Sequence, residues 1–235
     1  MVGRIRLRGD EDALDAGCGT GRITRLLAGR LPRGTVLAVD ASERMAEEAT
    51  RRLADLAPRV RVRRADLTTL ELDEPVDLVV STATFHWILD HEGLFQRLHA
   101  ALRPGGRLVA QCGGAGNIAA TLDAAREVAG REPYAAALAG MPEDWLFAAP
   151  GETEARLRRA GFAEARAWLE EAPAVFPDVA AGAEFLATVV LRTHLPRLTA
   201  EAGRAYAREV AEARAGRDGR VVIDYVRLNM EARRG

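Results

Sequence analysis

The 235-residue chain contains no lysine: all 33 of its basic residues are arginine. They are interleaved with 34 acidic residues, which leaves a net charge of −1. No one-signed field remains to draw the chain to nucleic acid or to an anionic membrane. With the abundant alanine, the all-arginine usage reflects base bias in the coding DNA and not a polyanion-binding surface. Cysteine is scarce, only Cys18 and Cys112, which excludes a disulfide framework and points to reduced thiols in a cytoplasm. The four histidines are scattered from these cysteines, so no metal site is expected. No apolar run reaches membrane-spanning length, and Met1-Val2-Gly3-Arg4 lacks a signal-peptide core. Repeats and low-complexity tracts are missing. The composition is 48% hydrophobic, enough for the core of a single domain over residues 1–235.

The chain is organised around Leu14-Asp15-Ala16-Gly17-Cys18-Gly19-Thr20-Gly21. An apolar lead-in, an acid and three glycines spaced by two are followed by a helical run over residues 22–31. Strand, glycine turn and helix open a βαβ unit that binds a nucleotide-type ligand. Two phosphate loops are excluded. A dinucleotide fingerprint needs glycine three positions after Gly19, where this chain has Arg22. No Gly-Lys-Ser or Gly-Lys-Thr follows, so there is no P-loop. Asp15 would repel a phosphate and suits a cation. S-adenosylmethionine has an ammonium and a sulfonium and no phosphate, and so fits. A tight turn without a ligand is the bland alternative.

Apolar runs then alternate with helical stripes. Strands are expected over residues 12–16, 34–39, 60–66, 76–81, 107–111 and 163–169, and a last one over 221–228. Helices are expected from Ser42 to Pro58 with the stripe Met45, Ala49, Leu53 and Leu56, and over residues 91–102, 117–128, 152–160, 179–191 and 198–215. The fold class is α/β: a Rossmann-like, seven-stranded, mostly parallel sheet with the last strand antiparallel and helices on both faces. Residues 1–113 form the cofactor-binding half. Residues 114–235 form a substrate-side half with insertions near 130–150 and 178–216, the first rich in aromatics and prolines and without clear period.

In such sheets ligands bind at the carboxyl ends of the strands, which here carry Asp15, Asp40, Asp66, Ser81 and Gln111. Asp40 is placed to take both ribose hydroxyls and to reject a 2′-phosphate. Asp66 is placed to accept from the exocyclic amine of adenine, and Met45 offers a polarisable surface to the base. Each has a bland reading: Asp40 as a helix cap, Asp66 as a loop acid, Met45 as part of its core stripe. His86, just past the fourth expected strand, is a candidate base or hydrogen-bond partner for a substrate. Phe85 and Trp87 are candidate pocket walls or plain core. Arg192, beside His194 and Arg197, is a candidate clamp for a carboxylate or a solvated arginine.

These motifs resemble those of the class I S-adenosylmethionine-dependent methyltransferases. Asp15-Ala16-Gly17-Cys18-Gly19-Thr20-Gly21 is similar to the first family motif and Val39-Asp40-Ala41-Ser42-Glu43-Arg44-Met45 to the second. Arg64-Ala65-Asp66-Leu67 is similar to the adenine-side motif, and Leu102-Arg103-Pro104-Gly105-Gly106 to the turn before the fifth strand. Asp224-Tyr225-Val226-Arg227-Leu228 fits the seventh, antiparallel strand. Ser81-Thr82-Ala83-Thr84-Phe85-His86-Trp87, with Leu89-Asp90-His91, resembles the subgroup of trans-aconitate methyltransferases and other carboxyl O-methyltransferases of small acids.

The resemblance implies a cytoplasmic enzyme that moves a methyl group from S-adenosylmethionine to a carboxylate or hydroxyl oxygen of a small molecule. Asp15, Gly17, Cys18, Gly19, Gly21, Asp40, Ala41, Met45, Asp66, Leu67 and Ser81 would hold the cofactor. Nucleic acid and membranes are not expected as partners, and the chain would act as a monomer or homodimer. The family carries a few tens of residues before its first motif, forming a lid, whereas here that motif begins almost at the start. A non-catalytic cofactor-binding protein lacking the lid is therefore an alternative. A nicotinamide oxidoreductase is a more remote one, because Arg22 obstructs its pyrophosphate cradle.

Overall fold

The computed structural model describes residue 3, residues 5–142 and residues 145–235. Met1, Val2 and Arg4 of the N-terminal reading, and Glu143 and Asp144 of the expected insertion, lie outside the described residues. The chain divides into two compact units, one drawn from residues 1–115, 145–170 and 227–235 and the other from 116–144 and 171–226.

The first unit is built on a seven-stranded sheet. Its strands are β1 (Ala13–Ala16), β2 (Val36–Asp40), β3 (Val60–Arg64), β4 (Val76–Thr82), β5 (Leu102–Gly113), β6 (Phe162–Glu171) and β9 (Val226–Arg234), in the order β3-β2-β1-β4-β5-β9-β6. The neighbours from β3 to β5 are parallel, and β9 lies antiparallel to β5. The order reverses between β1 and β4, which opens a crevice at their carboxyl ends. Both faces are covered because the central strands are apolar on both. In β4, Leu78 and Val80 join α1 (Arg22–Arg30) and α2 (Glu43–Leu53) in one core, while Val79 faces the opposite core with α3 (His91–Ala101) and α6 (Pro150–Arg159).

The second unit holds α4 (Ala119–Ala129), α5 (Ala135–Leu138), α7 (Val179–Thr188), α8 (Ala200–Ala213) and a two-stranded antiparallel ribbon of β7 (Ala174–Phe176) and β8 (Val221–Ile223). Tyr134 donates to Glu209 at 2.6 Å and Tyr206 to the Ala125 carbonyl at 3.0 Å, so its two buried phenols are satisfied. Among the described residues, no helix is long and apolar enough to cross a membrane, and no cluster of His, Cys, Asp and Glu has the make-up of a metal site.

Two expectations need correction. The single last strand over residues 221–228 is two strands, β8 and β9, and it is β9 that supplies the antiparallel partner of β5. The break falls at Asp224, whose carboxylate turns aside to accept from Ala120 N (2.8 Å), Thr121 N (3.1 Å) and Thr121 Oγ1 (2.6 Å) at the start of α4. In α2 the buried stripe is Ala46, Ala49 and Leu53, and Met45 is half-buried beside it.

Candidate functional site

The site grows from the turn that follows β1. Gly17, Gly19 and Gly21 have φ of +84°, +53° and +80°, a left-handed region that side chains with a Cβ adopt only under strain. The turn is tied to β2, where Gly17 N and Cys18 N donate to the Val39 carbonyl at 2.8 and 2.9 Å. A Cβ on Gly17 would fall 2.2 Å from the Thr84 side chain, so this position is closed by protein. A Cβ on Gly19 would meet nothing within 4 Å, so the main chain there is open to a ligand.

Asp40, at the end of β2, reaches this turn. One carboxylate oxygen accepts from Gly19 N at 2.8 Å and the other from Ser42 N at 2.9 Å. Ser42 in turn caps α2, accepting from Met45 N at 3.4 Å. Asp15 lies beneath, fully buried. Its Oδ2 accepts from Thr24 Oγ1 at 2.6 Å, while its Oδ1 has no partner. Burial, opposed by the Thr24 hydrogen bond and reinforced by the Asp40 charge, pushes its carboxyl up to about 6. A buried carboxylate oxygen without a partner, beside exposed main chain, suits a cationic ligand and disfavours a phosphate. The residues present therefore fit the adenosyl sulfonium cofactor.

Asp66 is exposed, two residues beyond Arg64, which pairs in register with Asp40. Its Oδ1 accepts from Thr68 N and Thr68 Oγ1, both at 2.8 Å. Asp40 and Asp15 thus converge on the glycine turn, while Asp66 stands at the next strand end with one oxygen bound to its own loop. Ala41 is exposed beside Asp40, and Leu67 is a core side chain. The Ser81 hydroxyl donates to the Ala16 carbonyl at 2.7 Å and so ties β4 to β1 instead of facing a ligand. Cys18 is buried and its thiol is raised to about 12, by burial first and then by the charges of Asp15 and Asp40. It behaves as an apolar filler, as does Cys112, raised by burial to about 12.

The turn after β4 meets the glycine turn. Ala83 takes a φ of +55°, strained for a residue with a Cβ. It is held by Ala83 N donating to the Gln111 carbonyl at 2.7 Å and by Thr84 Oγ1 donating to the Gly17 carbonyl at 3.1 Å. The next three residues form a single helical turn, Phe85–Trp87. Phe85 is 0% exposed and packs edge-on against Phe95, which corrects its reading as a pocket wall. His86 is fixed at both ends: its carbonyl accepts from Leu146 N at 2.9 Å and its Nδ1 accepts from Gly113 N at 3.2 Å. An Nδ1 that accepts from a backbone amide carries a lone pair, so the neutral ring holds its proton on Nε2.

His86, Trp87, Trp145 and Phe147 make one aromatic cluster, with ring centroids 5.2 Å (His86–Trp87), 5.9 Å (His86–Phe147), 5.4 Å (Trp87–Trp145) and 5.7 Å (Trp145–Phe147) apart. Trp145 and Phe147 were not expected here. Their signal was an aromatic pair two apart in an aperiodic segment, which puts both rings on one side of an extended chain. Arg192 is exposed in the turn after α7, within the second unit. A groove of about 540 Å³ lies against β5, β6 and β9, with Arg107, Gln111, Trp168, Asn229 and Glu231 in its lining.

A family model described as a methyltransferase domain matches residues 13–106. The trans-aconitate 2-methyltransferase of Methylobacterium nodulans is 33% identical over an alignment covering 100% of this chain and 91% of that protein. That of Methylobacterium radiotolerans is also 33% identical, with 100% and 91% covered. Among solved structures, a Mesorhizobium loti S-adenosylmethionine-dependent methyltransferase is similar at TM-score 0.53 and 24% identity, covering 98% of this chain and 94% of the other. The Haemonchus contortus phosphoethanolamine N-methyltransferase 2 bound to S-adenosylhomocysteine is similar at TM-score 0.60 and 18% identity, covering 97% and 50%. At these identities the two structures speak for the fold.

Proposed function

The chain belongs to the trans-aconitate 2-methyltransferase family of S-adenosylmethionine-dependent methyltransferases, and we propose that its acceptor is a carboxylate oxygen of a small acid. The bound cofactor supplies a methyl group carried on a positively charged sulfur. In this reading Gly19 offers open main chain to the cofactor, Asp40 takes the ribose hydroxyls, Met45 borders the base and Asp66 receives the adenine amine. Gly17 and Gly21 shape the turn. Asp15 sets a negative charge below the cationic end.

The observation that carries the acceptor class is the state of His86. Its Nδ1 lone pair is taken up by Gly113 N, which puts the proton of the neutral ring on Nε2, so neither nitrogen is set to remove a proton from a substrate. A neutral hydroxyl or ammonium acceptor would need that base. A carboxylate is already ionised at neutral pH and does not. His86 is accordingly read as part of the pocket wall with Trp87, Trp145 and Phe147, and not as a base. The remaining task of the chain is to hold the carboxylate in line with the methyl group and to keep water out. The two buried free cysteines agree with a cytoplasmic setting. The relatives' names make trans-aconitate the first acid to try.

The test is a pH profile with trans-aconitate and its analogues. With an acid substrate, kcat should stay flat from about pH 6.5 to about pH 9, because no group in the site has to lose a proton. A rise in kcat following a single ionisation across that range would contradict the carboxylate reading and return a base to the mechanism.

A further inference from the structure

The cofactor cradle makes no use of His91, the last residue of the Leu89-Asp90-His91 stretch. It is the first residue of α3, whose start is fixed by Asp90 accepting from Gly93 N at 2.9 Å. The His91 ring is 2% exposed. Its Nε2 lies 3.0 Å from the Phe85 carbonyl oxygen. Only a protonated Nε2 can donate there, and the Nδ1 on the far side of the ring is buried with no partner. Burial disfavours the imidazolium, and the nearby Arg156 charge adds to this against the opposing Asp90, so the ring titrates below its ordinary range.

The Phe85 carbonyl closes the turn after β4. It also accepts from Ile88 N at 3.0 Å, while Trp87 N donates to the Thr84 carbonyl at 2.9 Å. The Phe85 side chain sits in the core against Phe95, and Phe95 also lies against the His91 ring at 5.5 Å. Helix α3 thus holds the turn twice, once by packing and once by a polar bond of defined direction. Packing holds the Phe85 side chain, and the bond from His91 adds a constraint on the direction of the Phe85 carbonyl.

We propose that His91 is a positioning residue: by donating from Nε2 to the Phe85 carbonyl it sets the angle at which His86 and Trp87 meet the methyl acceptor. This rests on the reading that His86 and Trp87 wall the acceptor pocket. His91 touches neither the cradle residues nor the aromatic cluster in any contact described above, so its effect passes through the turn.

The test uses the full chain with three substitutions. His91→Leu removes the donor, His91→Gln keeps an N–H donor, and Phe95→Leu weakens the packing under the same turn without touching the bond. His91→Leu should raise the KM for the acid about ten-fold while the affinity for S-adenosylhomocysteine, by titration calorimetry, stays within about two-fold. His91→Gln should recover most of that loss, and Phe95→Leu should lower the melting temperature more than it moves KM. A second readout needs no turnover. Amide exchange at Gly113, which reports its bond to His86, should quicken about ten-fold in His91→Leu and not in His91→Gln. If the wild-type chain methylates no acid, the functional reading fails, and Gly113 exchange alone decides for His91. Equal KM and equal Gly113 exchange in His91→Leu and the wild type would overturn the proposal, as would a His91→Gln variant that behaves like His91→Leu.

Discussion

At the scale of single residues, Asp15 carries the sharpest consequence. Its carboxyl sits at about 6 instead of 3.8 because it is buried with one oxygen unpartnered. The folded state therefore holds its proton more tightly than the unfolded chain. Stability is lost as the pH rises from about 4 through 6, and above 6 the full cost of roughly 3 kcal/mol is present. Asp15→Asn removes that charge. It should raise stability by up to roughly 3 kcal/mol at pH 8, with a gain that fades towards pH 4, as denaturant unfolding at several pH values would read. The same change should weaken S-adenosylmethionine binding, and the wild-type affinity should itself fall below about pH 6 as Asp15 gains its proton. Unchanged binding in Asp15→Asn would detach the acid from the cofactor. Asp15 and Asp40 were legible because each ends an apolar run. The tautomer of His86 was not, since it depends on Gly113, 27 residues away in sequence.

At the scale of elements, the glycine turn separates two jobs within five residues. Gly17 is closed by Thr84, while Gly19 faces open space. Gly17→Ala should destabilise the fold by about 2 kcal/mol or more, because a Cβ there meets the Thr84 side chain at a positive φ. Gly19→Ala carries the strain alone, at φ +53°. It should cost about 1 kcal/mol in stability and lose cofactor binding disproportionately. Thermal unfolding and calorimetry on the pair give the contrast, and equal losses of stability with equal binding would count against it. Four of the first five strands were visible as apolar runs and β3 as valines alternating with arginines, and the spacing of the three glycines marked the turn. β9 was obscured because its outward positions carry Arg227, Glu231 and Arg233, which makes a half-exposed strand look like a polar tail. Asp224 ended the preceding run early through bonds to α4, more than a hundred residues away, which no local pattern encodes.

At the scale of the whole molecule, the sheet order reverses beside β1 and brings the glycine turn, Asp40 and the 85–87 turn to one end of one unit. That convergence follows from parallel strands joined by helices, and it explains how residues some seventy positions apart, such as Gly17 and Thr84, come to touch. The aromatic cluster joins this end through residues 145–147, which belong to the same unit although the chain passes through residues 116–144 of the other before reaching them. On the proposed reading of the backbone-fixed His86, the expected product is a methyl ester. The most direct measurement supplies S-adenosylmethionine labelled in its methyl group with trans-aconitate and other small di- and tricarboxylic acids, then treats the product with mild alkali. Label is expected in the acid and is expected to be released from it as methanol by alkali. Label in an alkali-stable ether or amine, or in none of the acids, would contradict it.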